Sequence, residues 1–251
     1  MRPKIAINCD VEGSGQGGTT GPFRRDRAAL YTDYLDAIYD AGAEPVILPP
    51  DPRALGSLEA VDGVLLTGGD DYLTSIPDPA TPPARFTAMH PRRESFDHAL
   101  VRETLSRDLP LLAICAGLQL VVIEGGGRIY GDIDEECPGA LRHRRNSIDE
   151  PHPHHALEWH LPHPPGVPAP GPEVMSHHHQ GVAELPEGWR LWACSSDGVI
   201  EGAVGPGRWQ VAVQWHPELS PRTEDGTQLF AAFVAACRTA VEHSSSGRPG
   251  R

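Results

Sequence analysis

The sequence predicts an α/β fold: a doubly wound, mostly parallel sheet flanked by helices, with a small antiparallel region in its C-terminal half. Three observations carry this. Short apolar runs at Lys4–Cys9, Gly63–Thr67 and Leu109–Ile114 lack the in–out alternation of a one-sided strand, so each reads as a strand buried on both faces. Helix-patterned segments alternate with these runs, the order expected of a parallel sheet wound from both sides. The chain has 251 residues of which 39 % are hydrophobic, enough for one sizeable core and too few for a second catalytic domain.

In chain order, Lys4–Cys9 is the first strand, and the Gly-rich stretch Gly13–Gly21 is a flexible loop after it. Arg24–Ala41 reads as a helix, with Leu30, Tyr34, Ile38 and Ala41 at helical spacing and Gly42 as the stop. Glu44–Pro50 is a short strand ended by prolines, and Gly63–Thr67 a buried strand running into the Gly68-Gly69-Asp70-Asp71 turn. Ser75–Pro91 is an irregular Pro-rich loop, Arg92–Arg107 a helix, Leu109–Ile114 a strand, and Ala116–Glu124 a helix stopped by Gly125-Gly126-Gly127. Residues Asp149–Glu173, crowded with Pro and His, form a surface excursion with one short strand at Ala156–Leu161. Trp189–Cys194, Val199–Val204 and Gln210–Gln214 are strands of an antiparallel or mixed region, and Asp225–His243 is a final helix. The expected organisation is one domain over residues 1–243 and a disordered polar tail over 244–251.

Composition excludes several functions. Net charge is −13, from 21 basic and 34 acidic residues, and no Lys/Arg run is present to track phosphates, so nucleic acid is not an expected partner. No apolar run reaches the roughly 20 residues of a membrane span, and no signal-length apolar stretch precedes Asp10; the expected location is the cytoplasm. Five widely spaced cysteines without a CxxC argue against a disulfide framework or a zinc ribbon.

One cysteine stands apart. In Leu111-Leu112-Ala113-Ile114-Cys115-Ala116-Gly117-Leu118-Gln119 a buried strand runs into a thiol followed at once by a helix, with small residues two before and two after it. That is the pattern of a nucleophile elbow, whose sharp turn tolerates no bulky neighbours and lifts the nucleophile above the carboxyl ends of the strands. The helix N-terminus favours thiolate over thiol. The Ala116 N–H, with an N–H from the Gly68-Gly69 turn, could form an oxyanion hole. A free cysteine is more often simple core, and Cys9, Cys137, Cys194 and Cys237 are assigned to core or loop packing.

The expected base lies about a hundred residues on, in Val213-Gln214-Trp215-His216-Pro217-Glu218. His216 and Glu218 are two apart and would share a face in extended geometry, with Pro217 keeping the segment out of a helix. A carboxylate accepting from one ring nitrogen leaves the other to face a thiol. Thirteen histidines also raise a metal reading, but His152, His154, His155, His160 and His163 lack ligand spacing and the adjacent His177 to His179 would alternate in direction on a strand, so a solvated His-rich loop is expected and no metal site. The Gly13–Gly21 stretch lacks a P-loop ending, and Asp70 and Asp71 read as turn caps.

These motifs in order resemble the class I glutamine amidotransferase superfamily, most closely its stand-alone γ-glutamyl-γ-aminobutyrate hydrolase-like members, the peptidase C26 group. The likeness rests on Ala41-Gly42-Ala43-Glu44-Pro45, Asp62-Gly63-Val64-Leu65-Leu66-Thr67-Gly68-Gly69 and the Cys115 elbow. It continues through Gly126-Gly127-Arg128-Ile129-Tyr130-Gly131-Asp132-Ile133, Ser176-His177-His178-His179-Gln180, Asp197-Gly198-Val199-Ile200-Glu201 and Val213-Gln214-Trp215-His216-Pro217-Glu218. Ala113 stands where the family pattern has glycine, Ala116 where it has arginine, and Met175 where it has asparagine.

The resemblance implies a flavodoxin-like fold and a thiol hydrolase that attacks the side-chain amide carbonyl of a γ-glutamyl group. It implies Cys115 as nucleophile, His216 as proton carrier and Glu218 as its orienter, with Gln119, His178, His179 and Gln180 bordering the substrate. No metal or organic cofactor is implied. Two alternatives stay open: a glutaminase subunit passing ammonia to a separate synthetase, and a binding or regulatory module that kept the fold without the activity. A homodimer and a synthetase partner both remain open as assemblies.

Overall fold

Each central strand is buried on both faces because its side chains feed two separate cores. The computed structural model describes residues 2–13, 25–160, 162–167, 173–219 and 224–246. The N-terminal half supplies β1 (Lys4–Asn8), β2 (Asp10–Glu12), β3 (Arg27–Ala29), α1 (Thr32–Asp40), β4 (Glu44–Leu48) and β5 (Gly63–Leu66). Then come α2 (Pro91–Ser106), β6 (Leu111–Ile114), α3 (Ala116–Glu124), β7 (Arg128–Tyr130) and α4 (Ile133–Glu136). The rest is β8 (His154–Trp159), β9 (Glu173–Met175), β10 (Gly181–Glu184), β11 (Arg190–Ser195), β12 (Ile200–Val204), β13 (Gln210–Val213) and α5 (Glu224–Ser246).

One mixed sheet runs in the order β4-β1-β5-β6-β13-β12-β11-β8-β9, with β10 paired to β12 and β7. The first five strands of that path are parallel, and β12 enters antiparallel to β13. Ile5, Ile7, Leu65, Leu112 and Ile114 point into one core with Tyr34 and Ile38 of α1 and Phe230 and Phe233 of α5. Ala6, Val64, Leu66, Leu111 and Ala113 point into the other with Phe96 and Leu100 of α2 and Leu118 and Val121 of α3. The period of two along each strand thus serves two helical layers. Strand order switches sides at β1, with β4 added on one side and β5 on the other, and the crevice above the strand ends at such a switch is where ligands bind in folds of this kind.

Several elements differ in extent from the sequence expectation. The helix expected over Arg24–Ala41 is shorter: residues 14–24, which include most of the expected Gly13–Gly21 loop, lie outside the described residues, and Arg27–Ala29 is extended against Asp10–Glu12. Of the expected apolar face only Tyr34 and Ile38 are buried, joined by Ala37, whereas Arg27 is exposed and pairs with Glu12 across the two strands. The strand expected at Ala156–Leu161 is β8, shifted two residues earlier. β13, expected in an antiparallel or mixed region, is mixed: it bonds parallel to β6 on one side and antiparallel to β12 on the other, joining the two regions. Finally α5 continues to Ser246, into the stretch expected as a tail, and 247–251 lie outside the described residues. No helix among the described residues is long and apolar enough to cross a membrane.

Candidate active site

The elbow is built as strand, strained residue and helix. β6 ends at Ile114, and Cys115 takes φ 52° and ψ −108° before α3 begins at Ala116. A non-glycine residue there costs about 1–3 kcal/mol and persists only when its surroundings fix it. They do: the Cys115 N–H donates to the Val213 carbonyl at 2.8 Å, and the Cys115 carbonyl accepts from Gln119 N–H at 3.1 Å. Gly117 shows why the elbow needs a small residue. A Cβ there would lie 2.8 Å from the Leu66 carbonyl oxygen, so α3 packs directly on the backbone of β5.

The second motif reaches the thiol by a different geometry from the one expected. β13 stops at Val213, and Pro217–Leu219 form a 3₁₀ turn instead of continuing an extended strand. The proline opens the turn, where its fixed φ and missing N–H are harmless. The turn folds Glu218 back so that its Oε1 meets His216 Nδ1 at 2.6 Å. Burial opposes charge on His216, but the Glu218 carboxylate and the Cys115 sulfur outweigh it and hold the imidazole well above its usual 6.5. Both His216 and Glu218 are buried, and Cys115 is 6 % exposed at the wall of a cavity of about 490 Å³.

Gly68 is the point on which these groups converge. A methyl at its Cα would stand 3.0 Å from His216 Cε1, 3.1 Å from the Tyr34 hydroxyl and 3.5 Å from Cys115 Cβ. The Gly68 N–H, expected to serve an oxyanion, donates to the Tyr34 hydroxyl at 3.0 Å. Burial, then the nearby Glu218 charge, keeps that phenol protonated far above pH 10. The Gly68-Gly69 turn is clamped from below by Arg93, which is 1 % exposed. Its guanidinium donates to the Gly68 carbonyl at 2.7 Å, to Thr67 Oγ1 at 3.1 Å and to Asp97 Oδ2 at 3.1 Å, and a Cβ on Gly69 would lie 2.4 Å from it. Asn8 completes the clamp: its Oδ1 accepts from Thr67 N–H at 2.8 Å and its Nδ2 donates to Asp97 at 2.9 Å.

Of the residues expected around the substrate, Gln119, His178, His179 and Gln180 border this cavity with their polar ends turned into the protein, whereas Ala116 is not among its lining residues. Gln119 Nε2 donates to Gln214 Oε1 at 3.3 Å and to the Gln180 carbonyl at 3.4 Å, and Gln214 Nε2 donates to Cys115 Sγ at 3.5 Å. His179 bridges two carboxylates, with Nε2 3.0 Å from Asp71 Oδ2 and Nδ1 3.4 Å from Asp132 Oδ2. Gln180 Nε2 donates to Ser75 Oγ at 2.9 Å. Asp71, expected as a cap on its own turn, accepts from the Thr87 N–H at 2.7 Å instead. His178 points away from the cavity. Its Nδ1 is bonded to the Gln180 carbonyl at 2.8 Å and its Nε2 faces Glu201.

The remaining lining includes Asp10, Glu12, Asp33 and Asp70 together with Arg144, His152 and His177. Burial, then neighbouring His152 and His216, pulls His177 down to about 4 and keeps it neutral. Sequence reasoning missed Tyr34, Arg93 and Gln214. Tyr34 was visible only as a helix-face residue and Arg93 only as a polar helix position; Gln214 sits inside the recognised motif, one residue before its tryptophan. The expectation of a solvated His-rich loop fails for His155. It lies on β8, buried beside His143 and His178, because the excursion folds onto the sheet instead of standing off it.

A strained thiol at a strand–helix switch, beside a histidine held by a carboxylate, is the arrangement of the class I glutamine amidotransferase-like superfamily. The sequence profile of the Peptidase C26 family matches residues 3–218, and the chain belongs to that family. It is 32 % identical over 240 residues to "Putative glutamine amidotransferase Rv2859c" of Mycobacterium tuberculosis, covering 92 % of this chain and 74 % of that one. It is 30 % identical over 228 residues to the gamma-glutamyl-gamma-aminobutyrate hydrolase PuuD of Escherichia coli, covering 83 % and 86 %. A crystal structure titled as a "putative gmp synthase subunit a protein" from Thermoplasma acidophilum superposes with a TM-score of 0.64 over 98 % of both chains. At 18 % identity that likeness speaks to the fold. Family and relatives together make this an enzyme of the hydrolase or amidotransferase type.

Proposed function

We propose that the protein hydrolyses a γ-glutamyl amide through Cys115, His216 and Glu218, releasing glutamate and an amine. The observation that carries the reading is Cys115 at φ 52° on the cavity wall, beside a His216 whose far nitrogen is 2.6 Å from Glu218. Glu218 fixes the imidazole so that Nε2 can take the thiol proton. The Cys115 sulfur forms a bond to the amide carbon as the carbonyl electron pair moves to oxygen. Ala116 N–H, at the first position of α3, and Gly68 N–H are the donors assigned to that oxygen. Collapse breaks the C–N bond, and the amine leaves with the proton from His216. Water then adds to the thioester, giving its proton to His216. The C–S bond breaks, and glutamate leaves.

Asp10, Glu12, Asp33 and Asp70 in the cavity lining favour a leaving group carrying positive charge over one ending in a carboxylate. The test is a panel of glutamine, γ-glutamyl-γ-aminobutyrate and γ-glutamyl diamines, run on wild type and Cys115→Ser. The expected result is turnover of γ-glutamyl amides, fastest for the diamines, and a fall of about 10³-fold or more in the variant with its fold intact. Equal rates in the two proteins refute the thiol chemistry. Glutamine turnover that requires an added synthetase would favour the ammonia-delivering reading suggested by the relatives named as amidotransferases. Absence of both turnover and a covalent adduct with a γ-glutamyl electrophile would leave only the binding module.

A further inference from the structure

A second constellation lies behind the cavity, and the catalytic reading makes no use of it. His143 follows α4, His155 is on β8, His178 precedes β10 and Glu201 is on β12; all four are buried, Glu201 completely. One ligand atom from each lies within 4.8 Å of every other. His143 Nδ1, His155 Nε2 and His178 Nε2 stand 3.3, 3.4 and 3.3 Å from the same Glu201 Oε1.

These approaches are not hydrogen bonds. His155 Nε2, His178 Nε2 and both Glu201 oxygens have no hydrogen-bond partner, although burial should make that costly. The outer nitrogens explain it. His143 Nε2 is 2.9 Å from Asp197 Oδ2, His178 Nδ1 is 2.8 Å from the Gln180 carbonyl, and His155 Nδ1 is 3.4 Å from the Ala156 carbonyl. Each acceptor calls for a hydrogen on the outer nitrogen, which leaves the inner nitrogen to present a lone pair toward Glu201. Ser176 Oγ is 3.3 Å from His143 Nδ1, but it gives its hydrogen to the His143 carbonyl at 2.9 Å.

Lone pairs from three imidazoles and a carboxylate oxygen repel one another unless a cation joins them. Protons could do so only by making three buried imidazolium charges against two carboxylates, Glu201 and Asp197. One divalent ion matches those carboxylates in charge. Metal-bound histidines characteristically give their other N–H to a carboxylate or carbonyl, the arrangement seen here. A tetrahedral zinc with bonds of about 2.0–2.1 Å has ligand–ligand edges of about 3.3–3.4 Å, matching the three nitrogen–oxygen separations, while the wider pairs, within 4.8 Å, would draw inward around the ion.

We infer that His143, His155, His178 and Glu201 form a structural divalent-metal site, with zinc the best-fitting ion. Nitrogen and carboxylate donors suit zinc, and a closed set of four protein ligands with no exposed edge marks a structural centre. The ion ties the His-rich excursion to β12. Through His178 it also sets the His177–Gln180 segment against the catalytic cavity.

The test is metal content of protein prepared without a histidine tag, reconstituted with zinc and gel-filtered, with His155→Asn and Glu201→Gln beside wild type. About one zinc per chain is expected in wild type and a stoichiometric loss in both variants. Cobalt-loaded wild type, which requires no variant to fold, should show the intense visible bands of a tetrahedral N/O site. A chelator strong enough to strip the ion should lower the unfolding temperature. Reconstituted wild type without stoichiometric metal, weak octahedral cobalt bands, or full zinc content in His155→Asn would each overturn the site. None of these readouts depends on turnover, so the outcome is separate from the fate of the hydrolase proposal.

Discussion

The Tyr34 hydroxyl accepts the Gly68 N–H at 3.0 Å, so an amide assigned to the oxyanion is already occupied before substrate arrives. The phenol therefore competes with the developing negative charge, and an oxyanion, being the stronger acceptor, would displace it. Tyr34→Phe removes the competitor and leaves a half-buried N–H at the cavity wall without its protein partner. The expected outcome is a loss of about 1 kcal/mol in stability with kcat unchanged or raised. Denaturant melts and initial-rate kinetics on the best γ-glutamyl amide check both halves. A drop in kcat of about 100-fold would show that the phenol itself, and not the Gly68 amide, meets the oxyanion.

Gly68 admits no side chain without moving the groups around it. The Cβ of Gly68→Ala would approach His216 Cε1 to 3.0 Å and the Tyr34 hydroxyl to 3.1 Å. A shift of a few tenths of an ångström in the imidazole relaxes the contact, so the fold should survive. Displacing a proton carrier by that amount is expected to cost about 10- to 100-fold in kcat/KM. A variant with wild-type kinetics would mean that His216 is not positioned against this turn.

Gly117 meets a harder obstacle, because its neighbours are backbone. A Cβ would come 2.8 Å from the Leu66 carbonyl oxygen and 3.1 Å from its carbon, and neither can rotate away. Gly117→Ala must push α3 off β5, at about 1–3 kcal/mol for overpacking. Lowered stability by urea titration is the expected result. An unchanged midpoint would show that the helix has room to move.

The parallel half of the fold was legible because its signals are local: Gly63–Leu66 and Leu111–Ile114 are short unbroken apolar runs, and burial on both faces is what such runs encode. The elbow was legible for the same reason, being strand, small residue, thiol, small residue and helix in nine consecutive positions. What stayed hidden depends on distant partners. Arg27–Ala29 reads as helix until Asp10–Glu12 supplies its backbone bonds. Arg93 reads as a solvated helix position, and only the meeting of Asp97, Thr67 and the Gly68 carbonyl turns it into a buried clamp. His143, His155, His178 and Glu201 come from four elements, so no ligand spacing along the chain could announce them.

His98 supplies a pH dependence remote from the catalytic and metal-ligating groups. It sits on α2 among Glu94, Glu124 and Arg102, with Arg102 Nη1 3.0 Å from Glu124 Oε1. The Glu94 carboxylate, 3.8 Å from Nε2, raises its pKa above 6.5, burial opposes this, and Glu124 on Nδ1 adds to the rise. A histidine whose folded value is raised contributes stability that is complete below about 6.5, its value in the unfolded chain, and is lost as pH climbs through the folded value. His98→Gln keeps a hydrogen-bond donor but no charge. It should therefore be less stable than wild type by about 1 kcal/mol at pH 5.5, because the pair is largely screened from solvent but still near the surface. By pH 8.5 the gap should narrow as wild-type His98 loses its proton. Urea melts of both proteins at the two pH values measure it, and a gap that widens with pH would show that His98 is stabilised as the neutral ring.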